Sequence, residues 1–349
     1  MTPITDRKVR FALAGCGRIA HNHFGAIKAN AEGCELVAVC DPVPNALKAA
    51  ADATGAQPFA SYTDMLAKTD ADCIVLTTPS GLHPTMAIQA AGAGFHVMTE
   101  KPMATRWKDG LAMVEACDTA GVRLFVVKQN RHNATLKLVK RAVEQRRFGR
   151  IYSVSVNVFW TRPQDYYDSA KWRGTWEFDG GAFMNQASHY IDLLEWLIGP
   201  MESVAAFTGT LARSIEVEDT GVAALRWRSG ALGTLNVTML TYPKNYEGSI
   251  TILGENGTVR IGGRAANEIL HWEFADAQPE DETISQASYE TTSVYGFGHP
   301  FYYANVISCL RGETEPETDG REGLKSLELL IAMYLSARDG RRVSLPLEY

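Results

Sequence analysis

Residues Val9–Ala20, with the sequence VRFALAGCGRIA, join a short apolar run to a turn that contains two glycines. The apolar run predicts a β-strand, and the segment after the turn has the pattern of a helix as far as Asn30. Gly15 permits a tight turn, Gly17 lets a ligand approach the backbone, and Ala20 permits close packing of the helix. A helix start of this kind binds a dinucleotide pyrophosphate, because its N–H groups face the negative charge.

A carboxylate further along the chain supports a cofactor site. A second apolar run, Leu36–Cys40, ends at Asp41, at about the 20-residue spacing at which an acidic residue binds the ribose hydroxyls. Asp41 would repel the 2′-phosphate of NADP, and no Arg or Lys precedes Lys48 to offset this effect. Taken alone, the glycine turn is also explained by an ordinary loop, and Asp41 by a helix cap. Taken together, the two features predict NAD as the cofactor, with Arg18 and Ile19 beside its pyrophosphate.

The composition is that of a globular protein of 349 residues, of which 46% are hydrophobic and 21% charged, with a net charge of −6. This length is sufficient for two domains, and the acidic balance argues against a nucleic-acid partner. The sequence shows no apolar signal segment and no run near the ~18 apolar residues of a membrane span. The six scattered cysteines, without a CxxC pair, indicate neither a metal site nor a disulfide framework. We therefore expect a cytoplasmic protein without a membrane partner.

Strands and helices alternate along residues 1–125, which predicts an α/β domain of the Rossmann type with a parallel, doubly wound sheet. After the two segments above, the predicted strands are Asp72–Thr77, Phe95–Thr99 and Arg123–Lys128. Ligands of such sheets lie beyond the carboxyl ends of the strands. Thr77–His83 and Glu100–Pro102 directly follow two of these strands, so we expect them at the same edge as the glycine turn.

Residues 126–349 have a different pattern and predict a second, α+β domain that binds the substrate. Ile151–Trp160 alternates with period two, and six more strand runs follow between flanking helices. This order predicts a large, mainly antiparallel sheet with one open face. Because some strands carry apolar residues on both faces, we expect the open face to pair with further subunits, in a homotetramer. The acidic segment Ala275–Ser288 is expected to be a solvated loop.

Oxidation of an alcohol by NAD requires a base for the hydroxyl proton and a donor that stabilises the alkoxide, and it needs no metal. Lys101 follows a predicted strand at the cofactor edge and is one candidate. His189 is the other, in the predicted helix Phe183–Ile198, where Asn185 lies four residues earlier on the same face. Asp192, three residues further on, is a candidate to orient the imidazole. Each residue also has a structural interpretation. Lys101 also fits an ordinary surface lysine, His189 a histidine that is hydrogen-bonded in the core, and Asp192 a surface carboxylate.

Taken together, these motifs resemble the Gfo/Idh/MocA oxidoreductase family along essentially the whole chain. The matching segments are the glycine turn, TPSGLHP at residues 78–84, EKP at 100–102, KWR at 171–173 and GG at 180–181 before His189. The resemblance implies that Lys101 and His189 form the catalytic pair. It also implies contacts with the cofactor by Thr77, Thr78, Pro79, Leu82, His83, Glu100, Lys101, Gln129, Trp172 and Arg173.

One position departs from a common pattern of the family. Asn185 lies where many of its polyol dehydrogenases carry Asp, and an amide cannot act as a general base, so we expect Asn185 to position a sugar hydroxyl. The pattern is similar to members that act on UDP-linked N-acetylated uronic acids in bacterial surface-polysaccharide synthesis, which implies oxidation of the sugar C3 hydroxyl. An inositol or other free-sugar dehydrogenase and a non-catalytic NAD-binding regulator are the alternatives.

An anionic nucleotide sugar needs cations and aromatic side chains, and the segments around the predicted site supply them. The expected substrate contacts are Lys101, Arg131, Arg162, Tyr166, Lys171, Asn185, His189 and His299. Individually, each cation also fits a solvated surface, and His299 also fits a turn. As a set, these residues favour an anionic substrate over a neutral polyol.

Overall fold

A computed structural model describes residues 3–291 and 296–348 of the chain. The chain forms two compact units. The first consists of Met1–Lys128 and His299–Leu327, and the second of Gln129–Gly298 and Glu328–Tyr349. The segment His299–Leu327 thus lies in the first unit, although the sequence pattern predicts it in the second domain.

The described residues contain ten α-helices. Their bounds are α1 Ala20–Ala29, α2 Pro44–Thr54, α3 Tyr62–Lys68, α4 His83–Gly92, α5 Trp107–Thr119, α6 Ala134–Glu144, α7 Gln164–Asp168, α8 Ser188–Ile198, α9 His299–Leu310 and α10 Gly320–Asp339. In α2, Pro44 begins the first turn and Gly55, with a φ of +72°, ends the helix in the left-handed conformation. None of these described helices is both long and apolar enough to cross a membrane.

The first unit contains a six-stranded sheet in the order β3-β2-β1-β4-β5-β6. Its strands are β1 Val9–Ala14, β2 Cys34–Cys40, β3 Gln57–Phe59, β4 Cys73–Leu76, β5 His96–Thr99 and β6 Leu124–Val126. Every neighbouring pair is parallel, which confirms the predicted Rossmann arrangement. Helix α9 packs into the same core, where the rings of Phe11 and Tyr303 meet edge to face with centres 5.1 Å apart.

The second unit contains an eight-stranded sheet in the order β13-β12-β11-β7-β10-β9-β8-β14. Its strands are β7 Ile151–Phe159, β8 Met201–Gly209, β9 Thr220–Trp227, β10 Leu232–Thr238, β11 Glu247–Gly254, β12 Gly257–Gly262, β13 Glu268–Phe274 and β14 Val343–Ser344. Strands β7 and β10 are parallel and the other neighbours are antiparallel, which confirms the predicted sheet type. Along β9, Leu225 and Trp227 are buried, whereas Val222 and Arg226 are exposed. The Trp227 indole donates to the Leu194 carbonyl oxygen of α8 at 3.3 Å, so helices cover one face.

Two segments of the second unit differ from the sequence prediction. The expected helix Phe183–Ile198 is divided, because Ala182–Gln186 forms a π-helical turn and α8 begins only at Ser188. The expected solvated loop Ala275–Ser288 contains a 3₁₀-helical segment, Pro279–Ala287.

Arg147 explains why the acidic segment has regular structure. Its Nη2 donates to the Asp281 carboxylate at 2.6 Å, and its guanidinium carbon lies 4.1 Å from the centre of the Phe274 ring. The hydrogen bonds from Arg147 hold the pKa of Asp281 well below its usual range. A partner 134 positions away in the chain therefore fixes a segment whose composition predicts a solvated loop.

Candidate active site

The turn after β1 has the geometry expected for phosphate binding. Gly15 has a φ of +99°, and a Cβ there would lie 2.7 Å from the carbonyl carbon of Thr77, so only glycine fits. At Gly17 a Cβ would meet no described atom within 4 Å, which leaves the backbone accessible to a ligand. In the described first turn of α1 there is no acidic residue and no side-chain cap. Together with Arg18 and Ile19 just before α1, these features fit an anion at the helix start.

Asp41 connects the end of β2 to the same turn. One carboxylate oxygen accepts a hydrogen bond from the N–H of Cys16 and the other from the N–H of Val43, both at 2.8 Å. Each carboxylate oxygen has two acceptor sites, so Asp41 can accept ribose hydroxyls at the same time. Asp41 thus stabilises the turn through its backbone hydrogen bonds and is also placed to accept from the ribose, and the ribose contact stays a prediction.

The segment after β4 connects neighbouring strand ends. The Thr77 hydroxyl donates to the Gly15 carbonyl oxygen at 2.6 Å. His83 is buried, with Nε2 2.9 Å from the Thr78 carbonyl oxygen and Nδ1 3.0 Å from that of Pro102. Burial lowers the pKa of His83, and a neutral ring donates to only one of these oxygens. His83 thus joins two loops of the first unit. The first loop also carries two further predicted cofactor contacts, Pro79 and Leu82.

A buried hydrogen-bond cluster lies directly beside Lys101. Glu100 Oε1 is 3.1 Å from His23 Nε2 and 3.4 Å from His299 Nε2. Glu100 Oε2 accepts from the backbone N–H of Lys101 at 3.1 Å, and the Tyr303 hydroxyl lies 2.8 Å from His23 Nδ1. Burial opposes ionisation of Glu100, but the hydrogen bonds from the two histidines hold its pKa well below the usual range. Glu100 is therefore ionised and fixes the main chain at Lys101.

The same cluster also has the composition of a metal site. The ligand atoms of His23, Glu100 and His299 all lie within 4.8 Å of one another. Burial lowers the pKa of His23, so its neutral ring donates to Glu100 and accepts from a hydroxyl group. These hydrogen bonds explain the cluster without a metal. His299 is buried here against a carboxylate, and its predicted contact with a substrate stays a prediction.

In the second unit, Asn185 and His189 lie in separate elements. Asn185 is in the π-helical turn and His189 is the second residue of α8, which differs from the single α-helix that the sequence predicts. The side-chain amide of Asn185 donates to the Asp179 carboxylate. His189 is buried, and its Nε2 lies 3.1 Å from Nε2 of Gln129. Gln129, a predicted cofactor contact, is thus a hydrogen-bond partner of the predicted catalytic histidine and restricts the orientation of its ring.

Asp192 forms a buried, two-point ion pair with Arg131. The Arg131 Nε donates to Asp192 Oδ2 at 2.8 Å, and its Nη2 donates to Oδ1 at 2.7 Å. The guanidinium carbon also lies 5.6 Å from the centre of the Trp196 ring. A planar guanidinium bound in this way has a fixed position. The sequence predicts Asp192 beside His189 and Arg131 at the substrate, and it does not reveal this pair because 61 positions separate the two residues.

Two of the predicted cations come together around Tyr166. The guanidinium carbons of Arg162 and Arg173 lie 5.4 and 4.3 Å from the centre of its ring, and Arg173 Nη1 donates to its hydroxyl at 2.6 Å. Arg173 also lies 4.5 Å from the centre of the Trp172 ring. Its buried Nε has no hydrogen-bond partner within the described structure, which fits an oxygen of a bound ligand. Lys171, the other cation of this segment, is exposed.

A Rossmann unit with this glycine turn and carboxylate, and an α/β unit with a buried histidine, define an oxidoreductase that uses a dinucleotide. The chain belongs to the Gfo/Idh/MocA oxidoreductase family. Residues 9–128 match its NAD-binding Rossmann fold, and residues 140–345 match its C-terminal alpha/beta domain. The family, the fold class and NAD as the cofactor are thereby confirmed.

Similar solved structures include two WlbA dehydrogenases in complex with NADH and UDP-GlcNAcA. The WlbA dehydrogenase from Chromobacterium violaceum is 72% identical, over 100% of this chain and 99% of that chain, with a TM-score of 0.96. That from Bordetella pertussis is 70% identical, over 99% of this chain and 100% of that chain, with a TM-score of 0.96. A D-apiose dehydrogenase from Paraburkholderia graminis is 28% identical, over 99% of this chain and 92% of the relative.

Proposed function

We propose that this protein oxidises the C3 hydroxyl of UDP-N-acetyl-D-glucosaminuronic acid to the 3-keto sugar with NAD. The observation that supports this most is the 70–72% identity, along nearly the whole chain, to two dehydrogenases crystallised with NADH and UDP-GlcNAcA. We place the reaction in the cytoplasm, in the synthesis of 2,3-diacetamido uronic acids for bacterial surface polysaccharides.

The first unit supplies most of the proposed contacts with NAD, and Gln129, Trp172 and Arg173 of the second unit are the others. Gly17 and the start of α1 bind the pyrophosphate, while Asp41 binds the ribose hydroxyls and disfavours the 2′-phosphate of NADP. NAD, when bound, accepts the hydride. The loop Thr77–His83 contributes further contacts at the same edge of the sheet. Glu100 acts through its hold on the main chain of Lys101.

The reaction breaks the O–H bond and the C–H bond at C3. The hydroxyl proton passes to a base, the C3 hydrogen leaves with its electron pair to NAD, and the C3–O bond becomes a carbonyl. Lys101 and His189 are proposed for two tasks, removal of the proton and stabilisation of the oxygen as its negative charge grows. Gln129 orients the His189 imidazole. Asn185 positions a sugar hydroxyl through its amide.

Four of the predicted contact residues fall into two groups. Arg162, predicted at the substrate, and Arg173, predicted at the cofactor, both lie close to the Tyr166 ring and are proposed to contact the negative groups of the bound ligands, which fits the unsatisfied Nε of Arg173. Arg131 and His299 bind buried carboxylates of their own units. We propose that these two residues support the site by holding their neighbours in place.

The open face of the eight-stranded sheet supports the proposed homotetramer. Phe207, Val222, Leu232 and Leu253 lie on this face by register and are 74, 42, 52 and 42% exposed. Large exposed apolar side chains on one face of a sheet fit an interface, and a second copy of the chain is the proposed occupant. Light scattering tests the assembly, and Phe207→Asp is expected to lower the molecular mass in solution.

The formation of NADH, followed by its near-ultraviolet absorbance, distinguishes the candidate functions. Purified protein and NAD are given UDP-N-acetylglucosaminuronic acid, UDP-glucuronic acid or myo-inositol, each with and without 2-oxoglutarate. Turnover of the N-acetylated uronate alone supports the proposal. Turnover of inositol favours a free-sugar dehydrogenase, and NAD binding without turnover of any sugar favours a regulator. A need for 2-oxoglutarate would show that bound NADH is reoxidised in place.

A further inference from the structure

The π-helical turn Ala182–Gln186 begins with backbone N–H groups that the short turn cannot bind itself. Two residues far along the chain bind them. The first N–H of the turn donates to the backbone carbonyl oxygen of Glu218 at 3.0 Å, and the Phe183 N–H donates to its Oε1 at 2.9 Å. The Met184 N–H donates to the Tyr334 hydroxyl at 3.1 Å. Glu218 and Tyr334 thus cap the start of the turn.

Glu218 and Tyr334 also bind each other. The Tyr334 hydroxyl donates to Glu218 Oε1 at 2.8 Å, so this oxygen accepts two hydrogen bonds. Glu218 is only 3% exposed, and its Oε2 has no hydrogen-bond partner in the described structure. Burial raises the pKa of Glu218 to about 7. The neutral acid is thus favoured below about pH 7, because a buried anion with one unbound oxygen is costly.

Gly181 shows how closely Glu218 fits against the turn. A Cβ at residue 181 would overlap the Glu218 carboxyl group, so glycine is required for this contact. Among the described residues, the titratable groups that act on Glu218 are Tyr334 and Asp219. The Asp219 carboxylate is bound elsewhere, since it accepts from the N–H of Ala212 at 2.9 Å. The hydrogen bonds of the Glu218 side chain thus come from the Phe183 N–H of the turn and from the Tyr334 hydroxyl.

We propose that Glu218 is a positioning residue for the sugar oxidation, because its cap fixes the backbone of Asn185 and the start of the helix that carries His189. This role rests on the proposed function, which assigns Asn185 and His189 their parts in the reaction. The side chain of Asn185 is held separately, by one oxygen of Asp179, whose other oxygen accepts from the Gly174 N–H at 2.7 Å. Without the cap, the turn would relax toward α-helical hydrogen bonding and displace Asn185.

Variants of the cap separate its positioning role from a general effect on folding. Glu218→Gln keeps an acceptor for Phe183 and Tyr334, so its kcat should stay within about threefold of the wild type. Glu218→Leu removes the acceptor and should lower kcat for UDP-N-acetylglucosaminuronic acid about 10- to 100-fold, with little change in KM for NAD. Tyr334→Phe should give a smaller loss. Glu216→Gln, at an exposed position of the same loop, is the control and should match the wild type.

Hydrogen exchange gives a readout that does not depend on activity. The amides of Phe183 and Met184 should exchange faster in Glu218→Leu than in the wild type and in Glu218→Gln. Unchanged exchange and unchanged kcat in Glu218→Leu would overturn the role, as would equal losses of kcat in both Glu218 variants. If Glu218→Leu does not fold, hydrogen exchange and kcat of Tyr334→Phe decide whether the cap positions the turn. If the wild type does not oxidise the sugar, the proposed function fails, while hydrogen exchange still shows whether Glu218 caps the turn.

Discussion

The Nε2 atom of His23 lies 3.1 Å from Oε1 of Glu100, and both side chains are buried. Burial opposes ionisation of Glu100, but the histidine hydrogen bonds outweigh it and lower the pKa, while burial keeps His23 neutral. The stability from Glu100 is complete above its ordinary pKa of 4.5 and is lost below it. The stability from neutral His23 is lost as the pH falls below 6.5. Both groups therefore sensitise the fold to acid.

Glu100→Gln should make the protein less sensitive to acid. Below pH 4.5, the free energy of unfolding should fall more steeply for the wild type than for the variant, as measured by urea denaturation. At neutral pH the variant should be less stable by about 1–3 kcal/mol, because the histidines lose a charged acceptor. Glu32→Gln, at an exposed position, is the control. Parallel pH curves for the wild type and Glu100→Gln would contradict an ionised Glu100.

Glu218 should have the opposite pH dependence. Its folded pKa of about 7 lies above the ordinary value of 4.5, so its contribution to stability is complete below 4.5 and is lost as the pH rises through 7. Glu218→Gln cannot ionise and should remove this loss, which amounts to at most about 3 kcal/mol. Urea denaturation at pH values from 4.5 to just above 7 measures the difference. An equal loss of stability across this range in both proteins would show that Glu218 does not titrate in it.

Removal of the Asp192 charge should strongly destabilise the second unit. Asp192→Asn leaves the buried Arg131 guanidinium without its counter-ion, and the free energy of unfolding should fall by about 3–5 kcal/mol. Asp118→Asn is the matched control, because Asp118 pairs with Arg321 at 2.6 Å on the exposed surface and should contribute little. Denaturation of the three proteins at one pH makes the comparison. Equal stability of the two variants would mean that burial does not strengthen this pair.

Lys101→Met should separate cofactor binding from chemistry. The variant keeps a side chain of similar length but lacks the charge, so NAD affinity should stay close to that of the wild type while kcat falls about 10²- to 10⁴-fold. Titration of NAD by protein fluorescence and steady-state kinetics provide the two readouts. Lys108→Met, at an exposed position of α5, controls for loss of a lysine. A kcat near that of the wild type would remove Lys101 from the chemistry.

Patterns among neighbouring residues predicted the cofactor edge of the first unit. Gly15, Asp41 and Lys101 each follow a strand, and a parallel sheet brings such positions to one edge. The bounds of α2 follow from signals of the same local kind, because Pro44 and Gly55 act on the backbone next to them. Signals of this kind depend on residues that are close in the sequence.

Partners that are distant in the sequence account for most of the differences. Spacing predicts Asp192 beside His189, which stays a prediction, but it does not reveal the charge pair of Asp192 with Arg131, 61 positions away. The cap formed by Glu218 and Tyr334 joins residues 116 positions apart, and no pattern near either one indicates it. Hydrophobic periodicity shows which residues are apolar, but it does not show which distant polar groups meet.

The most direct test of the proposed reaction follows the hydrogen at C3 of the sugar. UDP-N-acetylglucosaminuronic acid that carries deuterium only at C3 is incubated with the protein and NAD, and the reduced cofactor is analysed by mass spectrometry. The proposal predicts that each reduced nicotinamide carries one deuterium, because the C3 hydrogen leaves as hydride. Reduced cofactor without deuterium would show that the protein oxidises another position and would contradict the proposal.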